Sequence, residues 1–167
     1  MENRVLYNIG YHGPNTLLAL IILMIIIIEK KVSYSLIGIV ITWQICSHIL
    51  NITIKNILKY PRPDSGKDPN FSTLVPSVSN FLTIHKNFGM PSGHAQSVLS
   101  ELTFLILYFK NPFITSIAGI QTIITIWQRY ITRRHSPIQL FFGGVLGVII
   151  GIVFYKICPP HIGMVRL

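Results

Sequence analysis

Acidic side chains are scarce. The 167 residues include five Asp and Glu against fourteen Lys and Arg. Such an excess points toward an anion: nucleic acid, anionic lipid or a phosphorylated substrate. Nucleic acid is set aside, because the bases are scattered between apolar segments and form no tract. Cysteine is scarce too. Cys46 and Cys158 stand far apart, so neither a disulfide framework nor a zinc site is implied. Charge of either sign amounts to only 11% of the chain, and the apolar residues gather into long runs nearly free of it. A soluble domain does not do this, so an integral membrane protein is the leading class. Internal repeats, a low-complexity tail and a second domain are also missing. The chain reads as one domain, 1–167.

What is present is a set of apolar stretches at roughly 14–28, 35–58, 94–109, 112–128 and 137–157. At about 1.5 Å of rise per residue, the longer ones cross a hydrocarbon core of about 30 Å. The first is short and is expected to borrow from Leu6–His12. Its upstream flank is not basic and no small-residue cleavage site follows, so it reads as a retained helix. The expected fold is an all-α integral membrane protein, a bundle of about five transmembrane helices with the active site at one membrane face. Polar joints separate the spans at 29–31, 110–112 and 129–136. A longer loop, 60–90, carries Pro61, Pro63, Pro69 and Pro76, with a short interfacial helix expected near 77–86. Gly143, Gly147 and Gly151 recur at a spacing that lets membrane helices approach closely.

Polar residues inside apolar spans are costly and need a reason. Gln44, His48, Asn51 and Lys55 share one helical face, which is expected to point into the bundle. For Gln44 and Asn51 the plain reading is hydrogen bonding between helices. Glu101 follows His94 by seven residues, and His48 precedes Lys55 by the same number, about 10 Å in each helix. If Lys55 and His94 share one mouth, His48 and Glu101 lie at one depth and pair.

Three fragments suggest chemistry. They are "KNILKYPRP" at the end of the second span, "GMPSGHAQ" at the start of the third, and "RYITRRHSPIQ" between the fourth and fifth. Alternating spans put all three on one side of the membrane. Together they fit phosphoryl transfer without a metal. Lys55, Arg62 and Arg129 supply positive charge, and the two guanidiniums add bidentate geometry. Pro91-Ser92-Gly93 brings a close-approach backbone to a helix N-terminus, a natural anion seat. Two histidines divide the work: one attacks phosphorus, the other protonates the leaving oxygen.

These fragments resemble the phosphatidic-acid phosphatase type 2 superfamily, whose signatures are K-x6-R-P, P-S-G-H and S-R-x5-H-x3-D. The resemblance covers about residues 35–158. It implies that Lys55, Arg62, Ser92, Gly93 and Arg129 bind phosphate, that His94 is the general acid and that His135 is the nucleophile. No metal or other cofactor is implied. The remaining basic residues, among them Lys30, Lys31, Lys110, Lys156, Arg133 and Arg134, read as interfacial anchors. His12, His85 and His161 match nothing.

Two positions depart from the pattern. Gln128 replaces the Ser and Gln139 replaces the Asp. An Asp in that role orients the imidazole, and in the serine-protease template its change to an amide lowers kcat about 10⁴-fold. A closer resemblance bears on this. The dolichyl-diphosphatase branch carries "GMPSSHSQ" and H-x3-Q, so Gly89, Met90, Gln96 and Gln139 fit that branch. Gln139 lies one turn after His135, with Pro137 placed to start the turn, and its amide oxygen can accept from the His135 Nδ1–H. The branch implies hydrolysis of a polyprenyl diphosphate to the monophosphate, at a lumenal face of the endoplasmic reticulum. Asn70-Phe71-Ser72 is a glycosylation sequon that would report that face; the basic residues divide too evenly to orient the chain. Two alternatives stand beside this reading: a phosphatidate-type lipid phosphatase, and a membrane protein that kept the fold without the activity. A soluble vanadium haloperoxidase shares the phosphate motifs, but the apolar spans argue against it.

Overall fold

The computed structural model describes residues 4–28, 34–63 and 88–158 and folds them into six helices. These are α1 (Arg4–Tyr11), α2 (Gly13–Ile28), α3 (Tyr34–Leu58), α4 (Gly93–Phe109), α5 (Pro112–Ile131) and α6 (Pro137–Ile157). Among the described residues there is no strand, only an antiparallel bridge between Pro61 and Phe88. The five apolar stretches each fall on a helix, α2 through α6. The stretch expected to lengthen the first span is instead a separate helix, α1, set off by a turn at His12. The helix expected near 77–86 and the sequon at Asn70 lie outside the described residues.

Helix starts follow from local chemistry. Ser92, Asn111 and Ser136 each stand just before a helix and accept a hydrogen bond from a backbone N–H of its first turn. No carbonyl within the helix can satisfy those donors. Pro112 and Pro137 occupy the first turn, where a missing N–H costs nothing. At the end of α3, Lys59 adopts a left-handed backbone, φ 48°, and its N–H returns to Lys55 O. That turn sends Tyr60–Arg62 back over the helix end.

Among the described residues two helices, α3 with 25 residues and α6 with 21, are long and apolar enough to cross a membrane. α2 is apolar but has 16 residues. Outward faces are the apolar ones. Ile45 and Ile49 of α3, Ile123 and Trp127 of α5, and Phe141 and Ile149 of α6 are all exposed. Faces of this kind suit lipid rather than water as solvent, which is the mark of a membrane protein.

The glycine row of α6 packs on α4. A Cβ at Gly143 would lie 2.5 Å from Ser92 O, and one at Gly151 would lie 2.6 Å from Ser100 O. Both distances are below any real contact, so only glycine admits this approach. Its consequence is functional, since α4 begins at the Pro-Ser-Gly-His loop and α6 begins beside His135. Away from that end, Trp43 stacks on Phe154 at 4.2 Å and Phe104 joins them.

The polar stripe of α3 turns only partly inward. Its buried face runs through Val40, Trp43, Ser47, Asn51 and Lys55, which leaves His48 exposed at the edge. The expected His48–Glu101 pair is therefore not formed. Glu101 accepts instead from Gln44 Nε2, at 2.5 Å, one turn deeper. Counting residues from the mouth fixed the depth roughly but not the direction in which His48 points.

Candidate active site

Alternation of α2 to α6 brings one end of each helix to the same mouth, and the short loop 132–136 completes it. Arg133 is left-handed, φ 53°, and folds the loop back so that the N–H groups of Arg134 and His135 both reach Arg129 O. The five residues between Arg129 and His135 are the last two of α5 and the first three of this loop. It makes nucleophile candidate and guanidinium near neighbours.

His135 is buried. Its Nδ1 lies 2.9 Å from Gly89 O and 3.3 Å from Gln139 Oε1. Both oxygens only accept, so Nδ1 carries the proton and Nε2 keeps a lone pair. Burial holds the imidazole well below its ordinary pKa of 6.5, and the positive charges of Arg62, Lys55 and Arg129 push it further down; the Gln139 contact pulls the other way. The ring is neutral at pH 7. A neutral ring with a free Nε2 is what a nitrogen nucleophile requires.

Gln139 is fully buried at the third position of α6 and forms a capping box with Ser136. Its Oε1 accepts from the Ser136 N–H at 3.1 Å as well as from His135. Its Nε2 donates to Pro61 O at 2.8 Å, and its backbone carbonyl accepts from the Ser92 N–H at 3.0 Å. Gly89 makes room for it: a Cβ there would lie 2.5 Å from Oε1.

His94, in the first turn of α4, meets two groups at the same nitrogen. Nε2 faces Tyr11 O at 3.2 Å and the Arg129 Nη2. The carbonyl only accepts and the guanidinium only donates, so Nε2 serves one or the other according to whether it carries a proton. The Tyr11 ring also covers Arg129, 5.0 Å from ring centre to guanidinium carbon. His94 and His135 lie within electrostatic reach of each other, of Arg129 and of Lys55.

Lys55 and Arg129 are buried and Arg62 is half-buried. Ser92 spends its side chain as the α4 cap and its N–H on Gln139 O. Gly93 faces Asn51, whose Oδ1 would lie 3.2 Å from a Cβ there. Asn51 Nδ2 donates to Pro91 O at 3.3 Å and to Gln96 Oε1 at 2.6 Å, and Gln96 Nε2 donates to the Ser47 carbonyl and hydroxyl. This buried chain braces the Pro-Ser-Gly-His loop from below. All the expected site residues thus lie at one mouth, directly or through these contacts. Among the described residues no group of three His, Cys, Asp or Glu side chains is placed to hold a metal ion.

The sequence reading missed the roof. α1 packs on α5, with Gly10 against Gln128 and Tyr11 over Arg129 and His94. The available signal was "GYHG" at 10–13, two glycines flanking an aromatic pair. A Cβ at either glycine would collide with α5, at Gln128 or Thr125.

No curated protein matches the chain. Its fold is similar to the crystal structure of a transmembrane PAP2-type phosphatidylglycerolphosphate phosphatase from Bacillus subtilis. The TM-score is 0.64 at 19% identity, covering 98% of this chain and 79% of that one. Residues 17–162 match the model of the PAP2 superfamily, most of the chain and all three site fragments. The chain belongs to the PAP2 superfamily.

Proposed function

We propose that the protein is a membrane-embedded lipid phosphatase that hydrolyses a polyprenyl diphosphate of the dolichyl type to the monophosphate, without a metal, through a phosphohistidine. The observation that carries the reading is His135: neutral, with Nδ1–H donated and Nε2 free, amid Lys55, Arg62 and Arg129. Three cations held close together favour a multiply charged anion between them.

In the first step His135 Nε2 bonds to phosphorus as the bond from phosphorus to the leaving oxygen breaks. His94 gives its proton to that oxygen. Water then attacks the phosphohistidine, the phosphorus–nitrogen bond breaks, and a proton of the water passes to His94. The positive charge on the phosphorylated ring is met by two carbonyl dipoles, Gly89 O and Gln139 Oε1, in place of one carboxylate. Dipoles stabilise a cation less than a full charge does. A phosphate leaving group, less basic than an alkoxide, asks less of them, which favours a diphosphate substrate. Gly89 and Gln139, two of the four residues that fit the branch, lie against each other.

A phosphomonoester lipid is the second reading. It is favoured by the neighbour in fold, described as a phosphatidylglycerolphosphate phosphatase. Phosphate release by purified protein from dolichyl diphosphate, undecaprenyl diphosphate, phosphatidate and phosphatidylglycerolphosphate separates the two. Preference for the diphosphates supports the first, and preference for the monoesters the second. No release from any, with folded protein, defeats both in favour of a protein that kept the fold alone. We place the site at the lumenal face of the endoplasmic reticulum. Glycosylation of Asn70 in cells would report that face; a control sequon beside it left equally unmodified would contradict it.

A further inference from the structure

We propose that Gln139 positions the phosphate-binding Arg62 segment as well as His135, and that this second duty requires an amide. The inference rests on the phosphatase reading above.

The side chain works at both ends. Oε1 accepts from Ser136 N–H and His135 Nδ1–H, while Nε2 donates to Pro61 O. A backbone N–H can only donate and a carbonyl can only accept, so the amide cannot be turned over. Reversed, it would set N–H against N–H and oxygen against oxygen. A carboxylate satisfies the first end and fails at the second, where two oxygens would face each other at 2.8 Å. Arg62 follows Pro61 directly, and among the cations its charge acts most strongly on His135. The Pro61–Phe88 bridge and the Gly89 N–H to Tyr60 O tie the same segment to the start of the Pro-Ser-Gly-His loop. Since Gln139 O also holds Ser92 N–H, one residue links the nucleophile, the Arg62 segment and the Pro-Ser-Gly-His loop.

Gln139→Glu isolates the second end. It preserves length, keeps an acceptor for His135 and Ser136, and gives the nucleophile the carboxyl group that its relatives' Asp supplies. Only the donor to Pro61 is lost. The full chain is purified as wild type, Gln139→Glu, Arg62→Ala and the double variant. Two quantities are measured on each: phosphate release from lipid substrate, and direct binding of inorganic phosphate.

Gln139→Glu is expected to raise KM and the phosphate Kd about tenfold near neutral pH, the scale of a buried hydrogen bond replaced by a repulsive contact. The gap from wild type narrows as acid protonates the new carboxyl and restores a donor. Neither KM nor Kd scales with the folded fraction, so a poorly folding variant cannot imitate the result. In the Arg62→Ala background the same change adds little, because its effect travels through Arg62. A carboxylate that merely repelled phosphate would weaken binding equally with and without Arg62, and that outcome overturns the proposal. So does a Gln139→Glu protein that matches or exceeds wild type in KM and Kd. Wild type that binds phosphate yet releases none from any lipid refutes the phosphatase reading instead, and the binding cycle alone then decides on the tie.

Discussion

The two histidines of the site are held in opposite ways. His135 is fixed by Nδ1, through Gly89 O and Gln139 Oε1, so the nitrogen that would react is left free. His94 is engaged at Nε2, between Tyr11 O and Arg129. One ring is anchored from behind, the other from the front. The difference suits two tasks. A nucleophile keeps one protonation state until it attacks. An acid–base group changes state twice per turnover, and His94 has a partner for each: a carbonyl when Nε2 carries the proton, a guanidinium when it does not.

The largest effect that sharpens this contrast comes from removing each ring. His135→Ala is expected to lower phosphate release on the order of 10⁴-fold or more, the scale seen when a covalent nucleophile is deleted. His94→Ala is expected to cost about 10²–10⁴-fold, as for a general acid. The His94 loss should be smaller for a diphosphate than for a phosphomonoester, since the better leaving group needs less protonation. Equal losses on both substrates would break the assignment of His94 to the leaving group.

Acid comes next. The His135 pKa lies below the ordinary 6.5, lowered by burial and by Arg62, Lys55 and Arg129. Its neutral, reactive form therefore persists as pH falls through 6.5, and kcat/KM should decline only below that value. The same sign applies to stability. The unfolded chain takes up this proton first, so the stability tied to the buried neutral ring is lost as pH drops below 6.5. A pH–rate profile falling above that value would contradict the placement of His135 among three cations.

The smallest expected effect lies on the His94 side. Tyr11→Ala removes the ring over Arg129, a contact worth about 0.5–2 kcal/mol. It should raise KM several-fold with kcat little changed. A collapse of kcat would give Tyr11 a part in the chemistry itself.

Much of this arrangement was legible in the sequence. Apolar runs and caps placed α2 to α6 within about three residues of their bounds, because burial period and end chemistry are local. Spacing placed Arg129 beside His135, because a short loop leaves few ways to turn. The rest depended on contacts between distant segments. The two ends of the Gln139 amide meet residues 78 positions apart and four apart, and no periodicity announces the longer one. His48 shows the same limit from the other side. It shares a face with Asn51 by count, yet lies at the edge of what the bundle covers. α1 reads as part of the first span because its apolar residues run on toward α2, and nothing local announces the turn at His12 or the seat of Tyr11 over the site.

The most direct test of the central claim is to trap the intermediate. Wild-type protein is mixed with a lipid diphosphate labelled in its terminal phosphate, quenched in alkali and mapped by mass spectrometry. The account predicts an acid-labile, alkali-stable phosphate on His135, absent from His135→Ala along with turnover. A label on another residue, or phosphate release that survives His135→Ala, would contradict it.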